Sequence, residues 1–153
     1  MYQKILFQLF ACMIVFNSFS QELRTISWGG LSTPLYNDSL VSLLNFEESI
    51  YNHTFSNNNI YFEKIPISNK NVDVNIFDII YIKANSSELQ HISTSELTDQ
   101  LKYDYYVATE KKQHYLFLYI VPFRKSIDIV EKVKEFKIQI NISDSDTDIQ
   151  KKQ

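Results

Sequence analysis

Few residues in this chain are of the types that make or break bonds, and their spacing assembles no familiar catalytic set. Three histidines are present, His53, His91 and His114. Serines and aspartates are plentiful, so a Ser-His-Asp set has its ingredients. In the hydrolases that use a G-x-S-x-G elbow, glycines flank the nucleophile on a tight strand-to-helix turn. Gly29 and Gly30 are the only glycines and they adjoin each other, so no such elbow can be written. The histidines read as strand or loop residues without catalytic duty. For metals, "EESIYNH" brings Glu47, Glu48 and His53 close in sequence, at a spacing that fits no zinc signature. "DSDTD", Asp144 to Asp148, imitates the first half of a calcium loop but lacks its glycine and closing glutamate. It reads as solvated charge. Asp104 and Glu110 form a carboxylate pair only if the fold brings them together. No metal and no cofactor is expected.

Composition narrows the class further. The formal charge is −3, with no basic run or concentrated positive face, so no nucleic-acid partner is expected. With two adjacent glycines, a glycine-rich phosphate loop is excluded. The single cysteine, Cys12, lies inside the apolar run "ILFQLFACMIVF", Ile5 to Phe16. That run follows the basic start "MYQK" and precedes "NSFS", with small residues at Ser18 and Ser20. This is the layout of a secretory signal peptide over residues 1–20, cleaved between Ser20 and Gln21. The run is shorter than the roughly 20 apolar residues of a membrane-spanning helix. No transmembrane span is expected after cleavage. "LFAC" also admits lipidation at Cys12, although Phe10 is bulky for such a site. Export places the protein in the periplasm, at the outer membrane or on the cell surface.

The elements that would position any site are mostly strands. "LRTISW" alternates, putting Ile26 and Trp28 on one face, with Gly29–Gly30 ending the run. "SLVSLLNF" fits a strand or a helical turn. "NNN", Asn57 to Asn59, reads as the turn of a hairpin between "IYNHTF" and "IYFEKIPI". Pro66 implies a strand edge or end there. In "NVDVNIFDIIYIKA" the apolar phase slips at Ile76–Phe77, which predicts a β-bulge or bend near Phe77. "SSELQHISTSELTDQL" predicts a polar loop in which each "S-E-L" starts a short helical turn with serine as its cap. "HYLFLYIVPF" is apolar on both faces and predicts a central strand. "FRKSID" reads as a turn, "IVEKVKEF" as helix or strand, and "FKIQINI" as a closing strand.

Seven or eight short strands predict an all-β domain, a β-sandwich or jelly-roll-like antiparallel fold with one short polar helical or loop insertion. It would span residues 21–142, between the leader and a polar acidic tail over 143–153. Trp28, Gly29, Gly30 and Pro122 are its candidate interaction or packing residues. Trp28 and the tyrosine-rich strands leave open a surface-ligand or carbohydrate-binding module.

The order of "SFSQ", "ISWGG", "ISTSEL", "HYLFLYIVPFRKS" and "VKEFKIQI" resembles the N-terminal region of the type IX secretion system sortase (PorU) family of Bacteroidetes. That family belongs with the gingipain-type cysteine peptidases. The resemblance covers most of residues 21–142. It implies a β-rich domain related to gingipain prodomains, placed ahead of a large peptidase domain that carries the catalytic Cys and His. After Ser20 this chain has no cysteine, so no family catalytic residue is carried over. The resemblance therefore implies a non-catalytic domain, or a truncated or split form. Its implied partners are the peptidase domain of the same system or outer-membrane components of type IX secretion.

Overall fold

The computed structural model describes residues 20–143. The proposed leader through Phe19, including Cys12, and the tail from Asp144 onward lie outside the described residues. In chain order the elements are β1 (Ser20–Thr25), β2 (Trp28–Ser32), β3 (Leu35–Tyr36), β4 (Ser39–Leu40), β5 (Leu43–Phe46) and β6 (Ser49–Tyr51). Then come β7 (Asn59–Ile67), β8 (Val72–Lys83), α1 (Ser86–Leu89), β9 (Lys102–Glu110), β10 (Gln113–Val121), β11 (Phe123–Ser126) and β12 (Ile129–Ile142).

Two antiparallel sheets face each other. One is ordered β6-β7-β10-β9. The other is built on the long β12, which pairs β8 along one edge and β1 and β11 in tandem along the other. Alternation fills the space between the sheets. Leu116, Leu118 and Ile120 of β10 and Tyr61 and Ile67 of β7 meet Val74 and Ile76 of β8 and Val133, Phe136 and Ile138 of β12. Each such side chain contributes on the order of 1.5–3 kcal/mol by leaving water. The fold is thus the all-β sandwich that the alternation predicts, and β10, apolar on both faces, is a central strand.

Several local devices make the sheets fit. The phase slip at Phe77 is a bulge: Phe77 opposes Lys137, and the next register point pairs Ile80 with Glu135. Asp78 takes φ 50° there. A second irregularity on β12, between Glu135 and Val133, restores the register. Pro122 joins β10 to β11 and so carries the chain from one sheet to the other. It is fully buried, and its carbonyl accepts from Val133 N at 2.9 Å. Across the open side, Arg24 of β1 donates to both Glu63 carboxylate oxygens of β7, at 2.7 to 3.1 Å. Tyr61 Oη donates to the same carboxylate at 2.7 Å. Burial, with Glu63 beside it, pushes the Tyr61 hydroxyl well above the usual phenol range.

Three expectations change and one open alternative is settled. Gly29 and Gly30 do not end a strand but lie within β2, which pairs β5. Trp28 opposes Phe46 and Leu31 opposes Leu44, so β2 carries one extra residue, and Gly30 at φ 73° supplies the bulge. "FRKS" is strand β11, and the turn is confined to Ile127–Asp128. "IVEKVKEF" is strand, because β12 is held by ladders on both edges. Of "NNN", only Asn57 is exposed; Asn58 and Asn59 are buried.

Candidate functional site

The residues that sequence reasoning picked out as chemical do not converge. His53 lies against the Tyr36 ring, at 5.4 Å between centroids. His114 Nδ1 shares a 2.7 Å hydrogen bond with the Thr109 hydroxyl across the β9–β10 pair. His91 follows α1, in a different part of the fold. Asp104 turns back to accept from Tyr105 N at 2.8 Å, and Glu110 pairs with Lys64, so these carboxylates do not act as a unit. Among the described residues no three His, Cys, Asp or Glu side chains gather as a metal site. No helix among them is long and apolar enough to cross a membrane.

What the fold does assemble is a groove at one end of the sandwich. A second apolar cluster lies there, made by Leu44, Ile60, Ala84, Ile92, Val121, Phe123 and Val130. Trp28 bridges it to the main core. Its ring meets Phe46 edge-on at 4.9 Å and Phe123 at 5.1 Å. Its Nε1 donates to Val133 O at 2.7 Å. Val133 N and Lys134 O are taken by Pro122 O and Ile26 N, so these main-chain groups at the β12 irregularity are matched from outside the ladder. Trp28 is thereby a strut between β2 and β12 and not an open stacking platform.

Beside Trp28, α1 is fixed by a capping box. Asn85, not a serine, accepts from Ser87 N and Glu88 N at 3.0 Å, while Glu88 accepts from Asn85 N at 2.9 Å. The other Glu88 oxygen pairs with Lys132 of β12. Lys132 is only 6% exposed, and its Nζ stands 5.1 Å from the Trp28 ring. Burial pushes the Glu88 carboxyl up, but the Lys132 ammonium and the Asn85 N–H outweigh it and hold the group below its ordinary range. These side chains, with Gly29, Gly30 and His91, line a groove of about 390 Å³. Sequence reasoning named Trp28 and both glycines. It missed Lys132, whose only signal was its place two residues after Val130, on the inward phase of a strand.

The second "S-E-L" does other work. Glu96 caps no helix; its Oε1 accepts from Ser56 Oγ, Asn57 N and Asn58 Nδ2 at 2.6 to 3.0 Å. Asn58 also bridges the Ser93 main chain in both directions, at 2.8 and 2.9 Å. A buried polar network thus ties the β6–β7 loop to the segment after α1. A larger groove, about 590 Å³, lies by the Glu47–Glu48 turn. Asn59 and Asn45 there are bonded to Ser32 and Ser49, so these side chains are already matched.

The outer face of β7-β10-β9 forms a third feature. Tyr106 stacks on Phe117 at 4.9 Å and 8° between planes, and Phe62 lies 5.1 Å from Tyr119. Lys64 Nζ sits 4.2 Å from the Tyr115 centroid. Burial among these rings, then the Tyr106 hydroxyl, pushes the Tyr119 hydroxyl up to about 12. The aromatic stripe therefore packs on itself, although Tyr106 remains half exposed.

The fold has a solved counterpart. The chain is similar to a chain of the structure described as the complex of Porphyromonas gingivalis RgpB pro- and mature domains, with a TM-score of 0.54 and 8% identity. The match covers 84% of this chain and 82% of that one. The architecture is that of a gingipain-prodomain-like fold. No family model and no curated protein sequence matches the chain.

Proposed function

We propose that this chain is the non-catalytic N-terminal domain of a type IX sortase-like protein, exported beyond the inner membrane. There it packs against, and positions, a gingipain-type cysteine-peptidase domain. The observation that carries this reading is the likeness of fold, over most of both chains, to a chain of a structure described as a complex of pro- and mature domains. The sequence order quoted above adds the sortase branch. The sequence after the leader carries no cysteine, and the described histidines stand apart, in keeping with a docking role.

Calorimetric titration of the full chain with a mature gingipain-type peptidase domain of the same organism tests the reading. The expected result is a one-to-one complex. Absence of heat, together with separate elution of the two proteins on size exclusion, would overturn it. Outer-membrane secretion components are the second partner class that this reading admits.

A further inference from the structure

The groove beside Trp28 has a property that its own fold does not explain. Among the described residues, seven other than glycine take positive φ: Asn37, Asp38, Glu48, Asp78, Lys111, Lys112 and Ile127. The chain therefore does not keep glycine for turns. Gly30, at φ 73°, has a local reason to be glycine. Gly29 has none. Its φ lies outside the positive range, and a Cβ built on it would meet nothing within 4 Å. Within a strand, a glycine of this kind marks close approach by another backbone or a ligand.

Two polar residues line the same groove. Lys132 is a nearly buried ammonium with three donors, and its one hydrogen-bond acceptor among the described residues is Glu88. His91 Nδ1 is buried and has no hydrogen-bond partner among them. The Lys132 ammonium keeps donors beyond the one given to Glu88, so it is the place for a ligand's acceptor, whereas His91 Nδ1 is closed to solvent and the His91 main chain, bonded to Leu44 N, lies across β5 from β2. The third observation is an edge. β2 pairs β5 alone, and outside that ladder no main-chain bond reaches Gly29, Gly30 or Leu31 among the described residues. Leu31, at 50% exposure, lies at the same edge.

We propose that this groove binds an extended peptide segment of a partner protein, added as a strand along the β2 edge at Gly29–Leu31. Its main-chain groups satisfy the edge, its backbone fits where Gly29 has no side chain, and one carbonyl or carboxylate oxygen accepts from Lys132. Strand addition suits these features better than a sugar does, because the Trp28 ring is walled by Phe46, Phe123 and Lys132. The groove, at about 390 Å³, has room for an extended segment and a side chain or two, not for a helix. The inference rests on the reading of the chain as a docking domain and names where the docking occurs.

The test pans a phage library of random linear peptides against the full chain and follows the selected peptides by amide chemical-shift mapping. The expected peptides shift Gly29, Gly30 and Leu31. Gly29→Val, which adds bulk where the fold has room, keeps the melting temperature and weakens their binding by about tenfold or more. Lys132→Met also weakens it by about tenfold. Selected peptides that bind Gly29→Val as tightly as wild type, or that leave those amides unmoved, overturn the proposal. So does equal occupancy by a synthetic 144–153 peptide, by a second copy of the chain in sedimentation, or by a glycan on an array. If peptides bind here while the peptidase titration is silent, the peptidase reading falls and the groove stands. If the peptidase binds Gly29→Val unchanged, the groove proposal falls and the peptidase reading stands.

Discussion

The body of the sandwich and its Trp28 end are held together by different physics. Between the two sheets, the main cluster is almost wholly apolar, and its stability comes from area removed from water, which has no preferred direction. At the end, a smaller apolar cluster is ringed by directional groups: the Lys132–Glu88 pair, the Asn85 capping box, and the Ser56–Asn58–Glu96 network. Directional networks hold one geometry when every member is matched and lose much when one is removed. The body can therefore act as scaffold, while the end sets the shape of a groove and is free to open locally. This difference can be broken in the body or sharpened at the end.

The largest effect is expected in the body. Phe136 is fully buried on β12 and meets Tyr61 edge-on at 5.4 Å, across the two sheets. Phe136→Ala removes that contact and leaves a cavity, at a cost of about 3–5 kcal/mol. Denaturant unfolding should show a lower midpoint for all probes together. Asn58→Ala, at the end, strands the Ser93 main chain and part of the Glu96 carboxylate, at a cost of about 1–3 kcal/mol. Hydrogen exchange should quicken near residues 93–97 before it quickens in β10. If Asn58→Ala instead loosens β10 and β12 equally, the two regions are one cooperative unit.

The body was the more legible region, and the reason is range. Alternation is a local signal, so the two-faced apolar pattern of β10 and the phase slip at Phe77 announced a central strand and a bulge. The end is built from pairings that skip along the chain. Asn58 finds Glu96 at a separation of 38, Lys132 finds Glu88 at 44, and Trp28 finds the Val133 carbonyl at 105. No window of sequence contains both partners. Polar residues that read as turn or surface, Asn58 and Lys132 above all, are buried only because distant groups meet them. "ISWGG" was conspicuous for its residue types, but its role as an edge strand depends on β5 and α1. The glycine pair misled because glycine in sequence signals a stop, whereas here the ladder to β5 continues through it with a bulge.

A middle-sized effect sharpens the end by charge alone. Glu88→Gln keeps an acceptor for the Asn85 N–H, so the capping box survives while the carboxylate is lost. Glu88 titrates below its ordinary range when folded. A depressed carboxylate adds stability that is fully present above its unfolded value, near 4.3, and is lost as pH falls through the lower folded value. At neutral pH the variant should be less stable by about 1–2 kcal/mol, a figure reduced because the Glu88 side chain keeps partial contact with water. As pH drops below about 4, wild type should approach the variant and the gap should close. Melting temperatures of both proteins across pH check this. A gap that stays constant down to low pH would mean that the pair contributes geometry without charge.

The smallest effect lies outside both regions and has the opposite sign. Ile127 opens the two-residue turn between β11 and β12 at φ 53°, and it is 89% exposed. A β-branched side chain in that conformation crowds its own carbonyl, and almost no packing offsets the strain. Asparagine tolerates this region of backbone and loses less chain entropy on folding than glycine does. Ile127→Asn should therefore stabilise the protein by about 0.5–1 kcal/mol, read as a higher denaturant midpoint with an unchanged slope. Because β11 and β12 carry Phe123, Val130 and Lys132 toward the groove, the gain should also slow exchange of the Val130 and Lys132 amides. A stabilised midpoint with unchanged exchange at those amides would show that this turn is uncoupled from the Trp28 end.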